Sequence, residues 1–322
     1  MKQFKKTVLA VVTLVTVLFS SFGLTPLQVN AQEAIDIAIV QFVSHPSLDQ
    51  IVQGIKDELA ANGYVEGENL TIEFHNAEAD INLLSTIAEQ VVSEEPDLIF
   101  AVTTPVSQAF QNQTSELPII MAGVTDPVSA GLVEDVEKPG ENISGTSDAF
   151  PLEKHFDLML QVDPSIKKIG MIYTSSEDNA QAEIESAKEV AESMGLEVVV
   201  EGIATTLDMQ MVAENLSSQV DAIYVGSDNT IASAFETLLD ATDRMDIAVY
   251  PSVDNMVAIN QADLGIEAAK IGIEVLNGTA IGDIPIHFVE NLRLVYNSDT
   301  AERLNVEIEA GLLETLEDLS GE

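Results

Sequence analysis

The segment Ile35 to Gly63, IDIAIVQFVSHPSLDQIVQGIKDELAANG, decides the fold. Ile35 to Phe42 is an almost continuous apolar run, the pattern of a short strand covered on both faces. Ser44-His45-Pro46-Ser47 breaks the run. From Leu48 to Asn62 the apolar residues Ile51, Val52, Ile55 and Leu59 then recur at helical spacing, with Gly63 just past the end. A buried strand, a polar turn and an amphipathic helix are the repeating unit of parallel sheets joined by crossover helices.

Working outward, the unit recurs. Strands are predicted at Leu70–His75, Leu98–Val102 and Pro118–Val124, and a helix at Asn82–Ser93. A second series opens near Pro151, with helices predicted at Leu152–Val162, Ala180–Met194, Met209–Ser218 and Ile231–Arg244. They alternate with strands at Ile169–Tyr173, Leu196–Gly202, Ala222–Val225 and Ile247–Tyr250. With 322 residues to place in domains of roughly 100–200, the expected fold class is α/β, two doubly wound parallel-sheet lobes joined by a hinge. The turn-rich stretch Lys138-Pro139-Gly140-Glu141-Asn142-Ile143-Ser144-Gly145 is the natural first crossover between them. Beyond Tyr250 the pattern gives a helix at Leu264–Asn277, an extended segment Ile284–Tyr296 and an acidic helix from Ser298. The expected division is residues 33–147 plus 258–283 for the first lobe and 148–257 plus 284–322 for the second.

The N-terminus reads as an export signal over residues 1–31. Lys2, Lys5 and Lys6 precede an apolar stretch from Val8 to Phe22, and Val29-Asn30-Ala31 offers small-residue cleavage before Gln32. The apolar stretch is shorter than the ~20 residues of a membrane span, with an uncleaved N-terminal anchor as the alternative. There is no cysteine, which excludes disulfides, thiolate metal sites, cysteine nucleophiles and lipid attachment through an N-terminal cysteine. The expected location is therefore extracellular or periplasmic, without a cysteine-linked lipid.

Charge narrows the partners. Asp and Glu number 54 against 13 Lys and Arg, a net charge of -41, and loss of the three leader lysines leaves 10 cations and -44. Nucleic acid demands a basic surface and is not an expected partner. An acidic excess of this size is a solvated surface whose self-repulsion salt relieves, as suits an extracytoplasmic life in salty or alkaline surroundings. The melting temperature should accordingly rise with added NaCl. A flat response from low to molar salt would contradict this.

The loops that follow the predicted strands are rich in Ser, Thr, Asn and Asp. They are Ser44-His45-Pro46-Ser47, Thr103-Thr104-Pro105, Thr125-Asp126-Pro127, Thr146-Ser147-Asp148, Thr174-Ser175-Ser176-Glu177-Asp178-Asn179, Gly226-Ser227-Asp228-Asn229-Thr230 and Ser252-Val253-Asp254-Asn255. Helix capping accounts for any one of them. Seven on one predicted sheet edge describe a cleft that wraps a polar solute, because ligands of open α/β sheets bind outside the carboxyl ends of the strands.

These loops carry a resemblance. The chain is similar to the ABC-transporter substrate-binding family that includes tryptophan- and tyrosine-binding lipoproteins and has the type I periplasmic-binding-protein fold. The matching stretches, in the family's order, are QFVSHPSLDQIVQGIKDEL, GYVEGENLTIEFHNAEAD, DLIFAVTTPVSQAF, LPIIMAGVTDPVSAGLV, PGENISGTSD, IGMIYTSSEDNA, DAIYVGSDNTIASA, DLGIEAAKIGIEVLNG and DIPIHFVENLRLVYNSDTAERL. The resemblance implies three crossings between lobes, hinge closure on a solute, an ABC permease as partner, a monomer, no cofactor and an aromatic amino acid as ligand. Two departures stand out. The family's lipid-bearing cysteine is missing, and only Met256 to Ala262 fills the gap before Asp263-Leu264-Gly265, so the crossover strand expected there is cut short.

Enzymatic readings are poorer, and the expectation is a binding protein and not an enzyme. Gly145-Thr146-Ser147-Asp148-Ala149 lacks the second glycine of a nucleophile elbow, and Gly140 to Gly145 has no following Lys-Ser or Lys-Thr. His45, His75, His155 and His287 show no zinc spacing. A secreted hydrolase pairing Asp126 with Asp228 or Asp254 is one alternative, and a ligand-sensing partner of a membrane receptor is another.

For an amino-acid ligand, the Ser175-Ser176-Glu177-Asp178-Asn179 loop before a helix is the expected carboxylate site, provided Glu177 and Asp178 point outward. Asp126 beside Thr125 is the first choice for the ammonium, with Asp228 and Asp254 behind it. Ser44, His45, Thr103, Thr104, Ser227 and Asn229 complete the polar set, and Tyr173 or Phe42 is expected to line an apolar pocket.

Overall fold

The computed structural model describes residues 34–252, 256–288, 292–304 and 306–320. The expected leader, its cleavage point at Gln32, and Asp254 lie outside the described residues.

The deciding segment forms β1 (Ile35–Gln41) and α1 (Pro46–Ala61). Pro46 opens the helix where its missing N–H is not needed, and Gly63 at φ 89° reverses the chain after it. The chain continues through β2 (Leu70–Asn76), α2 (Ile81–Glu94), β3 (Leu98–Val102), α3 (Thr104–Gln111), β4 (Ile119–Ala122) and β5 (Ile143–Ser147). The second series is α4 (Leu152–Val162), β6 (Lys168–Thr174), α5 (Asp178–Ser193), β7 (Glu197–Ile203), α6 (Met209–Ser217), β8 (Ala222–Val225), α7 (Asn229–Ser233), α8 (Phe235–Asp243) and β9 (Ala248–Pro251). Then come β10 (Met256–Ile259), α9 (Gln261–Leu276), β11 (His287–Phe288), β12 (Leu292–Tyr296), α10 (Ser298–Arg303), α11 (Ala310–Leu313) and β13 (Glu317–Asp318).

Among the described residues, the first lobe's sheet runs β2-β1-β3-β4-β5-β11 and the second lobe's runs β7-β6-β8-β9. Their strands pair in parallel throughout. The protein is thus α/β with two doubly wound lobes, as the alternating pattern predicts. In each lobe the opening strand, β1 or β6, lies between the strand that follows it and the next but one, so the winding reverses there. That reversal opens a crevice at the carboxyl ends of β1 and β3 and, in the second lobe, of β6 and β8.

Burial separates the lobes. Ile37, Ile39, Phe100, Ile120, Leu59 and Leu264 share the first core, and Met171, Phe156, Ile184 and Tyr224 anchor the second. Helix α9 returns to the first lobe and crosses α1 closely at Gly54 and Gly265, where a Cβ on Gly265 would sit 2.0 Å from the Ile51 carbonyl oxygen.

Several expectations change. A helix, α3, follows β3 where none was predicted. The predicted helix Ile231–Arg244 breaks at Ala234 (φ -123°, ψ 25°) into α7 and α8. The acidic tail forms two short helices and a strand, because only scattered residues such as Val306, Ile308 and Leu312 have apolar partners in the second core. Residues 284–288, expected in the second lobe, run with the first: Ile284 and Ile286 bury in its core and His287–Phe288 pairs with β5. Ala258 and Ile259, expected in the first lobe, pair instead with β12 in a separate sheet of β10, β12 and β13. The shortened crossover does form a strand, β10, and Asn260 then caps α9 through the Ala262 N–H at 3.2 Å. Among the described residues no helix is long and apolar enough to cross a membrane.

Candidate functional site

The loops after β1, β3, β6 and β8 meet around a cavity of about 540 Å³. Of the sequence-predicted residues, Ser44, His45, Thr103, Thr104, Thr125, Asn179, Ser227, Asp228 and Asn229 line it. The walls from the first lobe add Leu48, Ile51 and Gly123, and those from the second add Val225, Ala232, Phe235 and Pro251. One flank is therefore apolar and the rest is rimmed by short polar groups, as a small-molecule site requires. No lysine or arginine lines it among the described residues.

The second lobe's carboxylates are already engaged. Glu177, which had to point outward for a carboxylate to sit in its loop, is instead 1% exposed and caps α7, accepting from Asn229 Nδ2 at 2.6 Å, Thr230 N at 2.8 Å and Thr230 Oγ1 at 2.7 Å. Asp228 accepts from the Thr174 N–H, from Thr174 Oγ1 at 2.8 Å and from Ile231 N at 2.8 Å. Burial, with Glu177 beside it, pushes the Asp228 carboxyl well above the usual range. Glu177 accepts four hydrogen bonds and Asp228 three, and both serve to fix the β6 and β8 loops.

Asp148 differs. It stands just beyond β5, where the chain leaves the first lobe, and its Oδ1 is buried with no protein partner. Burial, and then the Glu183 carboxylate, push its pKa up to about 6, against a hydrogen bond from the Thr125 side chain. Glu183 itself is buried, receiving Tyr224 OH at 2.6 Å and Ser227 N at 2.8 Å. A buried carboxylate oxygen beside a second acid, facing a cavity lined by no lysine or arginine, has the chemistry to accept a cationic hydrogen-bond donor.

Other polar atoms of these loops are also unpartnered: His45 Nε2, Thr103 Oγ1, Thr104 Oγ1 and Asn179 Oδ1. Burial lowers His45 to about 4, with Asp49 and the Asn229 side chain pulling the other way, so at neutral pH it is an uncharged imidazole. Across the cleft, Gln108 Nε2 on α3 donates to Asp178 Oδ2 on α5 at 3.1 Å.

The remaining expected residues are elsewhere. Asp126 is exposed and caps its own turn through Val128 N, Ser129 N and Ser129 Oγ at 3.1, 2.9 and 2.6 Å. Ser175 and Ser176 are exposed, and Ser175 Oγ donates to the Ile203 carbonyl at 3.1 Å, away from the cavity. Tyr173 packs over Gly202 and Phe42 lies in the first core. Asp126 and Asp228, weighed as a catalytic pair, belong to different loops with separate partners. The sequence pattern does not single out Asp148 within its loop, nor Gln261 and Phe235, all three of which line the cavity. Among the described residues, no three His, Asp or Glu side chains converge as a metal site.

A tyrosine-binding protein of Clostridioides difficile is 38% identical over 280 residues, covering 84% of this chain and 81% of that one. A Streptococcus pneumonia structure in complex with L-Trp superposes with TM-score 0.85 at 37% identity, covering 88% of this chain and 98% of that one. A ligand-free, open substrate-binding protein from Clostridium difficile superposes less fully, with TM-score 0.67 at 33% identity, covering 90% and 100%. The model of the family described as ABC transporter substrate binding protein matches residues 36–318, nearly the whole described chain. The chain belongs to the family of ABC transporter substrate-binding proteins.

Proposed function

We propose that this protein captures a free aromatic amino acid between its lobes outside the cytoplasm and delivers it, chemically unchanged, to an ABC permease. The observation that carries this reading is the cavity itself. It holds an unpartnered buried carboxylate oxygen on Asp148, an apolar flank at Ala232, Phe235 and Pro251, and neutral hydrogen-bonding groups between them. The ammonium goes to Asp148, the ring to the Phe235 flank, and Ser44, His45, Thr125, Asn179, Ser227, Asn229 and Gln261 complete the shell. The tyrosine-binding relative and the L-Trp complex support the ligand class. The fuller superposition on the L-Trp complex than on the open structure supports a closed arrangement of lobes here, with hinge opening as the release step. The exported protein acts as a monomer that starts at Gln32 after loss of residues 1–31.

A thermal-shift panel of the twenty amino acids tests the class. A true ligand at 100 times its dissociation constant adds about 2.7 kcal/mol of stability and is recovered intact. Aromatic amino acids should give the largest shifts, and a panel without any shift would discard the ligand class. Acid should weaken binding. The ammonium favours ionised Asp148, so below about pH 6 binding must first expel a proton. Affinity should be flat above that pH and fall by roughly tenfold per pH unit beneath it. Constant affinity from pH 7 to 5 would remove Asp148 from the site.

A further inference from the structure

We infer that the Thr103–Thr104 turn at the head of α3 is the subsite for the ligand's α-carboxylate, through two hydroxyls and the first-turn N–H groups. The assignment rests on the amino-acid reading above and adds where the acid end goes.

Thr103 has φ 89° and ψ 165°, a backbone region that glycine occupies freely and a β-branched residue resists. The conformation is enforced from both sides. Thr103 N–H donates to the Ala122 carbonyl at 3.0 Å, and its own carbonyl accepts Ser107 N–H at 3.1 Å and Ser107 Oγ at 2.9 Å. The strained backbone holds a threonine side chain at the cavity where glycine would relieve the strain. Thr103 and Thr104 are 3% and 1% exposed, both line the cavity, and neither Oγ1 has a protein partner. A buried hydroxyl without a partner is costly, and two side by side mark a place where an acceptor belongs.

The helix behind them fits the same acceptor. Helix α3 begins at Thr104, and the first intrahelical bond comes from Ser107, so the Thr104 and Val106 N–H groups precede it. Those groups and the helix dipole favour an anion. Four other helices of eight or more residues begin beside the cavity, and each carries an acid in its first turn: Asp49 on α1, Asp178 on α5, Glu236 on α8 and Asp263 on α9. The first turn of α3 has none. With no lysine or arginine in the lining, this turn is the cavity's most favourable place for a carboxylate.

Calorimetry with three probes separates the possibilities: L-tryptophan or L-tyrosine, whichever binds the purified protein more tightly, its carboxamide, and its decarboxylated amine. The wild type should bind the amino acid at least tenfold more tightly than either analogue. Thr104→Val, which keeps the shape and removes a hydroxyl that has no protein partner, should weaken the amino acid about tenfold and leave the amine unchanged. Thr104→Ser should restore discrimination, and Thr103→Gly, which relieves the backbone, should lose it without a fall in melting temperature. Undiminished discrimination in Thr104→Val, or equal weakening of amino acid and amine, would overturn the subsite alone. Failure of the wild type to bind L-tryptophan, L-tyrosine or L-phenylalanine would overturn the amino-acid reading and this subsite with it.

Discussion

Asp148→Asn should remove most ligand affinity while leaving the empty protein more stable. In the proposed site this carboxylate is the partner of the ligand's ammonium, and removing one member of a buried charge pair costs roughly 2–5 kcal/mol, or about 30-fold to several-thousand-fold in dissociation constant. The effect on the empty protein has the opposite sign. Asp148 titrates near 6 in the fold instead of 3.8, so its ionised form opposes folding at neutral pH, and the stability it contributes is present below about 4 and lost as pH rises through 6. The amide carries no such charge. Its melting temperature at pH 7 should exceed that of the wild type by a few degrees, a gap that closes toward pH 4. Calorimetry and thermal scans check the two halves. Wild-type affinity in the variant would return the ammonium to another acid, and unchanged affinity in Asp126→Ala is expected because that residue caps a surface turn.

Gly265→Ala should destabilise the first lobe by about 3 kcal/mol or more. The new Cβ would meet the Ile51 carbonyl oxygen at 2.0 Å and the Ile55 nitrogen at 2.9 Å, all backbone atoms of a helix that cannot yield locally. Relief requires α9 to move away from α1 and open the core around Leu264 and Ile51, so the cost belongs at or above the top of the usual overpacking range of roughly 1–3 kcal/mol. Gly311→Ala is the control, since a Cβ there has open space around it. Its midpoint in urea should match or exceed that of the wild type. Equal midpoints for Gly265→Ala and the wild type would show that α1 and α9 do not depend on this close approach.

How much could be read in advance varied with the kind of interaction that decides each element. Strand β1 and helix α1 were legible because a buried parallel strand and an amphipathic helix write their burial into consecutive residues. Helix α3 was not, because Thr104-Pro105-Val106-Ser107-Gln108-Ala109-Phe110-Gln111 is short and shows only a brief apolar period. The break at Ala234 was equally hidden, and it turns Phe235 into a wall of the cavity. At the site, sequence placed the loops that line the cavity but did not single out the acid with an unpartnered oxygen. Asp126, Asp148 and Asp228 look alike in their Ser- and Thr-rich settings, and what separates them is tertiary. Ser129 satisfies the first, Thr174 and Ile231 satisfy the third, and the second is left with a bare oxygen. The Ser175 loop misled for a related reason, since Glu177 turns inward to cap α7 instead of leaving room for an anion.

The most direct test of the central claim is a calorimetric titration of the purified protein at neutral pH with L-tryptophan, L-tyrosine and L-phenylalanine. Because the chain contains no tryptophan, the indole emission of the first ligand reports the same event independently. One-to-one binding of at least one of the three, with a dissociation constant of about 1 μM or below, is the result predicted for a closed cavity with a charge partner. The absence of heat and of any emission change with all three at millimolar concentration would contradict it.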